Sequence, residues 1–321
     1  MGSLSLPMID EKTVATLVSA EDALREMREL FAKLSESKAV NFPVVRESVG
    51  ASVFGVKSGS YLERGLLGLK AGGYFPANAL KGNTRHQSIV VLFDAETGMP
   101  TALVGGNLIT RLRTAAAAAL SIELLSKPDA SVLAVIGAGA QAESHIRAAC
   151  AVRGFTSVML WNRSPDAAKK LAQDLDKSGI GARVAQSAQA AVEAGDVVIT
   201  LTPATSPVVR QEWVAPGTHL ACMGADTVGK QEVDDGLVAA SRVFTDSIEQ
   251  ACTIGECQTG IRSALFGREH IVGVLGDILT GRCEGRRTSR EITLFDGTGL
   301  AVQDLVMADS VAKRFAASRP R

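Results

Sequence analysis

An excess of charge of either sign is missing from this chain: Lys plus Arg and Asp plus Glu stand at 34 each in 321 residues. No overall field recruits nucleic acid or an anionic membrane, so a small-molecule ligand is expected. Cysteine is scarce and odd in number, and Cys150, Cys222, Cys252, Cys257 and Cys283 contain no Cys-x-x-Cys pair. That argues against a disulfide framework or a zinc site. Four of the five sit among apolar or small residues and are expected to be buried thiols. Histidine is rarer still, with no spacing that suggests a metal. No run reaches the ~18 apolar residues of a membrane span. The amino-terminal residues show no basic segment followed by an apolar core, and Met1-Gly2 is not followed by Ser or Thr at position six. Repeats and low-complexity segments are absent. With 46% hydrophobic and 21% charged residues, the expectation is a cytoplasmic enzyme with two cores.

What is present is concentrated first in Val132-Leu133-Ala134-Val135-Ile136-Gly137-Ala138-Gly139-Ala140-Gln141-Ala142. An apolar run ending in Gly-x-Gly-x-x-Ala before a helical pattern is the strand-turn-helix fingerprint of a dinucleotide site. Gly137 permits the turn, Gly139 lets the backbone approach a pyrophosphate, Ala142 lets helix and strand pack closely, and N–H groups at the helix start face the anion. The same turn also occurs as a purely structural connection. Strand-like runs at Ser157 to Trp161, Asp196 to Leu201 and Thr218 to Met223, with helical stretches at Pro165 to Lys177 and Ser187 to Ala194, predict an α/β, doubly wound parallel sheet. After the second strand the residues are Asn162-Arg163-Ser164, with no acid before Asp166. An acid there would hold the ribose hydroxyls of NAD. Its absence favours NADP(H) without excluding NAD(H); an exposed turn of no consequence is the alternative.

The first third reads differently. Glu21 to Ser37 has helical spacing; Phe42 to Ser48, Ser52 to Val56, Leu66 to Gly72, Ser88 to Phe93 and Pro100 to Val104 read as strands. Lys57-Ser58-Gly59-Ser60 and Glu96-Thr97-Gly98 read as turns between them. An alanine-rich helix, Asn107 to Ser126, leads into the dinucleotide fold. After Thr245 the pattern is helical and irregular, until a strand at Glu291 to Asp296 and a terminal helix at Leu300 to Ala316. The expected domains are an α+β substrate-binding and dimerisation domain, residues 1–125 with 300–321, and a Rossmann domain, residues 126–299.

Reducing or oxidising an amino or keto acid requires cations for its carboxylate and a proton donor or acceptor beside the reacting carbon. Arg46 ends the run Phe42-Pro43-Val44-Val45, Lys70 lies within a strand-like run of Leu and Gly, and Arg113 opens the alanine helix. A cation in an apolar strand is costly unless paired, and one at a helix start opposes the dipole, so a bound anion is expected. Solvated surface positions remain the alternative for Arg46 and Arg113. Asp226, in Gly224-Ala225-Asp226, follows a predicted strand where such sheets hold ligands; capping of the next helix is equally open. His86 is a further polar candidate.

These motifs, with Gly68-Leu69-Lys70, Leu112-Arg113-Thr114-Ala115-Ala116 and the run Phe295 to Asp304, resemble in order and separation the ornithine cyclodeaminase/μ-crystallin family across nearly the whole chain. The resemblance implies a homodimer, an NAD(P)-binding Rossmann domain and a discontinuous dimerisation domain. Arg46, Lys70 and Arg113 would hold the substrate carboxylate, with Lys70 and Asp226 as catalytic residues. The expected cofactor contacts are Thr114, Gly137, Gly139, Ala140, Gln141, Asn162, Arg163, Ser164, Thr202, Met223, Thr298 and Gly299, with no metal. Cyclodeaminases resembling this pattern carry an extra carboxylate on the strand after the first arginine, whereas Ala51 to Val56 contain none. The expected function is therefore an NAD(P)H-dependent imine reductase forming an L-amino acid, with iminosuccinate or pyrroline-2-carboxylate as candidate substrates. A cyclodeaminase or hydroxyproline dehydratase type lyase using bound NAD, and a non-catalytic NADP-binding crystallin-like protein, are the alternatives.

Overall fold

In the computed structural model, which describes residues 6–318, the chain divides into two compact units. One comprises the residues up to Arg113 and those from Leu300 onward; the other is Thr114–Gly299. The division falls inside the helix Gly106–Leu125, ahead of the expected boundary at residue 125, because Ala118 and Ile122 already belong to the second unit's core. Among the described residues no helix is long and apolar enough to cross a membrane.

The first unit is built on a seven-stranded sheet. Its strands are β1 (Met8–Ile9), β2 (Ala39–Asn41), β3 (Val45–Val49), β4 (Ser52–Tyr61), β5 (Leu66–Tyr74), β6 (His86–Asp94) and β7 (Pro100–Gly105), ordered β1-β7-β6-β5-β4-β2 with β3 also on β4. Lys57-Ser58-Gly59-Ser60 is not a turn but the middle of β4. Gly59 is there because neighbours come close: a Cβ would stand 2.5 Å from the Val40 carbonyl oxygen and 3.0 Å from Val302 Cγ1. Opposite it, a Cβ on Gly68 would meet Leu305 Cδ2 at 2.8 Å. Both contacts come from the C-terminal helix Ala301–Ala317, whose residues Ala301 to Asp309 are buried. At its far end Arg314 grips Asp22 through both nitrogens, at 2.6 and 2.7 Å. This guanidinium holds the Asp22 carboxyl well below its usual range. Asp22 and Ser19 also form the capping box that starts the helix Ala20–Ser35.

The second unit is a doubly wound α/β fold. Its strands are β8 (Val132–Ile136), β9 (Ser157–Trp161), β10 (Ala182–Val184), β11 (Val197–Thr200), β13 (His219–Cys222), β15 (Arg242–Thr245), β16 (Ile271–Val274) and β17 (Thr293–Asp296), all parallel, ordered β10-β9-β8-β11-β13-β17-β15-β16. A separate pair joins β12 (Thr205–Val209) to β14 (Gln231–Val233). Leu133 to Ile136 are fully buried, as a central parallel strand covered on both faces requires. The strand order reverses between β8 and β11, which opens a crevice at their carboxyl ends. Sequence reading missed β10, β15 and β16, strands of only three or four residues. Only Cys222 and Cys257 are buried, rather than four of the five cysteines; Cys150 and Cys252 are half-buried against the two cores, and Cys283 is half-buried.

Candidate active site

In the first unit, the face of the sheet covered by the C-terminal helix gathers the cations. Lys70 on β5 and Lys57 on β4 are direct cross-strand partners, and both are buried, as is Arg113. Lys70 Nζ stands 2.7 Å from Asp304 Oδ2, and Arg113 Nε stands 3.2 Å from Asp304 Oδ1. Lys70 also donates to Thr110 Oγ1 at 3.2 Å, and Arg113 Nη1 donates to Gln303 Oε1 at 3.0 Å. Asp304 is fully buried, which alone would raise its pKa, yet Arg113, Lys70 and Lys57 hold the carboxyl below its usual value. The expected counter-anion of Lys70 and Arg113 is thus a residue of the protein. Arg113 does not open its helix either: the helix begins at Gly106, so Arg113 lies two turns in, beyond the reach of the terminal dipole.

Arg46 lies half-buried on β3 opposite Gly55, on the same sheet face as Lys57 and one row along. Gly55 in turn faces Gly72, so that row carries no side chains beside Arg46 apart from Ser88 on β6. His86 Nδ1 lies 3.3 Å from Asn107 Oδ1. Burial, then the charge of Lys70, push the imidazole down to about 4, so it is neutral at physiological pH.

In the second unit, Gly137 follows β8 with φ +114°, and a Cβ there would lie 2.9 Å from the Leu201 carbonyl oxygen at the end of β11. Only glycine fits both demands. Gly139 and Ala140 are exposed, and nothing lies within 4 Å of a Cβ on Gly139. Gln141 precedes the helix Ala142–Val152, whose first N–H groups have no intrahelical acceptor. An open backbone turn feeding a helix start fits a pyrophosphate. Asn162 braces this turn, its Oδ1 accepting from Ala138 N at 3.1 Å and its Nδ2 donating to the Ser164 carbonyl at 3.0 Å. Arg163 and Ser164 are exposed. Thr114 is buried on the alanine-rich helix.

Asp226 follows β13 in a loop, with its carboxylate 2.7 Å from Lys230 Nζ. The capping alternative falls, because the next element is the strand β14 and the next helix is capped by Asp234. Sequence reading missed the residue that shapes this loop. Glu232, fully buried, accepts from Thr200 Oγ1 (2.6 Å), Thr202 N (2.5 Å), Thr202 Oγ1 (2.8 Å) and Gly224 N (2.7 Å), so one carboxylate ties Thr202 to the turn carrying Asp226. Burial raises its pKa, and those donors oppose the rise. Met223 packs where a side chain on Gly297 would stand. Thr298 and Gly299 are held by Asp246, which accepts from Thr298 Oγ1 at 2.7 Å and Gly299 N at 2.6 Å.

The profile of the ornithine cyclodeaminase/mu-crystallin family matches residues 7–319. The chain belongs to that family. Among its members, iminosuccinate reductase of Paracoccus denitrificans is 44% identical over 308 residues, 95% of each chain. The crystal structure of that enzyme in complex with NAD+ superposes with a TM-score of 0.90 at 41% identity, covering 97% of both chains. An archaeal alanine dehydrogenase, solved as a dimer with bound NAD, gives a TM-score of 0.92 at 31% identity over 97% of this chain and 96% of that one. Δ1-pyrroline-2-carboxylate reductase of Thermococcus litoralis, solved with NADH and L-proline, gives 0.92 at 28% identity over 97% and 98%.

Proposed function

We propose that this family member reduces a 2-imino acid to an L-amino acid: imine, reduced nicotinamide dinucleotide and a proton give amine and oxidised dinucleotide. Iminosuccinate, giving aspartate, and pyrroline-2-carboxylate, giving proline, are the candidate substrates. The observation that carries this reading is the buried pair Lys70 and Arg113, each oriented by its own oxygen of Asp304. A lysine and an arginine held in fixed geometry form a receptor for a carboxylate, and Arg46 on the same face extends it. Asp226, with Lys230 beside it, supports protonation of the imine nitrogen.

The turn Gly137 to Gln141 and the helix after it would hold the pyrophosphate. Asn162, Arg163 and Ser164 would meet the adenosine ribose, and Thr114, Thr202, Met223, Thr298 and Gly299 would border the nicotinamide half. When bound, the nicotinamide supplies the hydride taken up by the imine carbon. No carboxylate stands at position 162, and exposed Arg163 offers a cation to a 2′-phosphate; this supports use of NADPH alongside NADH.

We place the protein in the cytoplasm as a homodimer. Val45, Val49 and Phe54, 56, 57 and 43% exposed, lie on the sheet face opposite Lys57 and give a second copy an apolar surface.

The test is nicotinamide absorbance with purified protein, NADPH or NADH, and a panel of imines formed from oxaloacetate or pyruvate with ammonia, plus pyrroline-2-carboxylate. Imine-dependent oxidation is expected. Silence with every imine, together with conversion of ornithine to proline without net change in cofactor, would overturn the reductase in favour of a lyase.

A further inference from the structure

The proton-transfer group assigned to this site stands at the foot of an exposed turn. Asp226 is followed by Thr227-Val228-Gly229-Lys230, in which Lys230 N donates to the Thr227 carbonyl at 3.1 Å. Gly229 has φ +84°, the left-handed backbone that a tight turn takes from glycine. Val228 is 69% exposed, and Gly229 is exposed as well. A turn that buries so little of itself moves unless side chains from elsewhere hold its backbone, and a proton donor serves only while it stays within hydrogen-bond reach of its target.

Gln258 supplies such a hold. Its side chain is buried at the start of the helix Gln258–Arg262. Oε1 accepts from Gly229 N at 2.8 Å, and Nε2 donates to the carbonyl oxygens of Lys230 at 3.0 Å and Thr227 at 3.3 Å. Both ends of the turn and its bend are thus tied to one amide. These partners also settle which way round the amide lies, because an N–H meets its oxygen and carbonyls meet its nitrogen. An ionised side chain could not do the same: a carboxylate only accepts and an ammonium only donates. The amide is fastened in turn. Nε2 donates to the Gly255 carbonyl at 2.9 Å. The adjacent Glu256 accepts from Glu232 N at 3.0 Å and Val233 N at 3.2 Å, while its own N–H donates to Asp296 Oδ2 at 2.8 Å. Gln258 therefore rests on a segment joined to both β14 and the end of β17.

We infer that Gln258 is a positioning residue of the reaction, acting through Asp226 rather than on the substrate. It holds the turn so that Asp226, just before it, and Lys230, which closes it, meet as an ion pair where the imine nitrogen is protonated. The inference rests on the reading of Asp226 as the proton-transfer group of an imine reductase and adds the group that fixes its place.

The test compares Gln258→Met, Asp226→Asn and the double variant with the wild type, using NADH or NADPH with pyrroline-2-carboxylate and with the imines of oxaloacetate and pyruvate. Gln258→Met keeps the length of the side chain and removes its hydrogen bonds. It is expected to lower kcat about 10- to 100-fold, the cost of a reacting group displaced by about 1 Å. KM, and the dinucleotide Kd read by fluorescence titration, should stay within about twofold. The double variant should be no slower than Asp226→Asn alone, because residues that act as one unit lose their effect once. An unchanged kcat in Gln258→Met, losses that multiply in the double variant, or KM and Kd that worsen as kcat falls overturns the role of Gln258 while leaving the reductase and Asp226 standing. Undiminished turnover in Asp226→Asn overturns the reading of Asp226 and the positioning role with it. No oxidation of NADH or NADPH with any imine overturns the reductase and both assignments. Should Gln258→Met fail to fold, Gln258→Glu decides: it keeps the shape and the acceptor for Gly229 N but has no amide hydrogens for the carbonyls, and it must show the same loss confined to kcat and the same non-additivity with Asp226→Asn.

Discussion

Lys70 Nζ lies 2.7 Å from Asp304 Oδ2, joining the middle of a β-strand to the first turns of the C-terminal helix, and both residues are buried. Such a pair is worth most when one member is removed, because the other is left as an uncompensated charge. Asp304→Asn is expected to lower unfolding free energy by about 3–5 kcal/mol, measured by urea denaturation. Lys70→Ala leaves Asp304 with Arg113; it should abolish imine reduction while leaving cofactor affinity, read by fluorescence titration, within about twofold. Equal loss of both would make Lys70 a structural residue.

Asp226→Asn keeps the size of the side chain but removes its charge and its ion pair with Lys230. Imine reduction should fall about 10²- to 10⁴-fold in kcat, the range of a lost general acid or base. The pH profile of kcat/KM should lose one limb. A full profile retained at lower amplitude would count against Asp226 as the proton-transfer group.

Asn162 stands where an acid would bind ribose hydroxyls. Asn162→Asp is expected to shift the ratio of kcat/KM for NADH over NADPH upward by about tenfold, roughly one hydrogen bond to a charged group. An unaltered ratio would show that Asn162 serves only to brace Ala138.

His219 is fully buried between Ser121 Oγ and Thr293 Oγ1, at 3.1 and 3.0 Å, and burial pushes it down to about 3. Its ordinary value is about 6.5, so below that pH the unfolded chain takes up a proton that the folded chain refuses. Stability contributed by neutral His219 is present above pH 6.5 and drains away as pH falls towards about 3, at roughly 1.4 kcal/mol per pH unit. Unfolding measured at pH 7, 6, 5 and 4 should show a shallower decline in His219→Asn than in the wild type. Parallel curves would refute the assignment to this histidine.

Glu232→Gln replaces a four-donor acceptor with a group that must itself donate. A loss of about 2–4 kcal/mol is expected, from two buried donors left without partners, together with weaker cofactor binding as Thr202 shifts.

Much of this was legible in the residues. The Gly137–Ala142 turn, the parallel strands around it and the buried Lys70 carry local signals: an apolar run, a glycine spacing, a charge in an apolar strand; Arg113 was picked out for a place at a helix start that it does not occupy. What was hidden depends on partners far away in the chain. Gly59 reads as turn chemistry, but its smallness serves Val40 and Val302, and reading a turn there removed Lys57 from view. Asp304 is an ordinary acid in an amphipathic helix until Lys70 and Arg113, more than 190 positions earlier in the latter case, are placed beside it. Glu232 and Asp246 give no local sign at all, because their donors are backbone amides and hydroxyls on other loops.

The two glycines beneath the C-terminal helix carry a consequence for how the protein is made. Lys57, Lys70 and Arg113 leave the ribosome long before Asp304, so a growing chain possesses the cations without the carboxylate that steadies them. N-terminal segments ordinarily settle first during synthesis; here that sheet stays electrostatically unfinished until the helix seats against Gly59 and Gly68. A side chain added at Gly59 or Gly68 would meet Val302 or Leu305 and so would hinder the step that brings Asp304 to these cations.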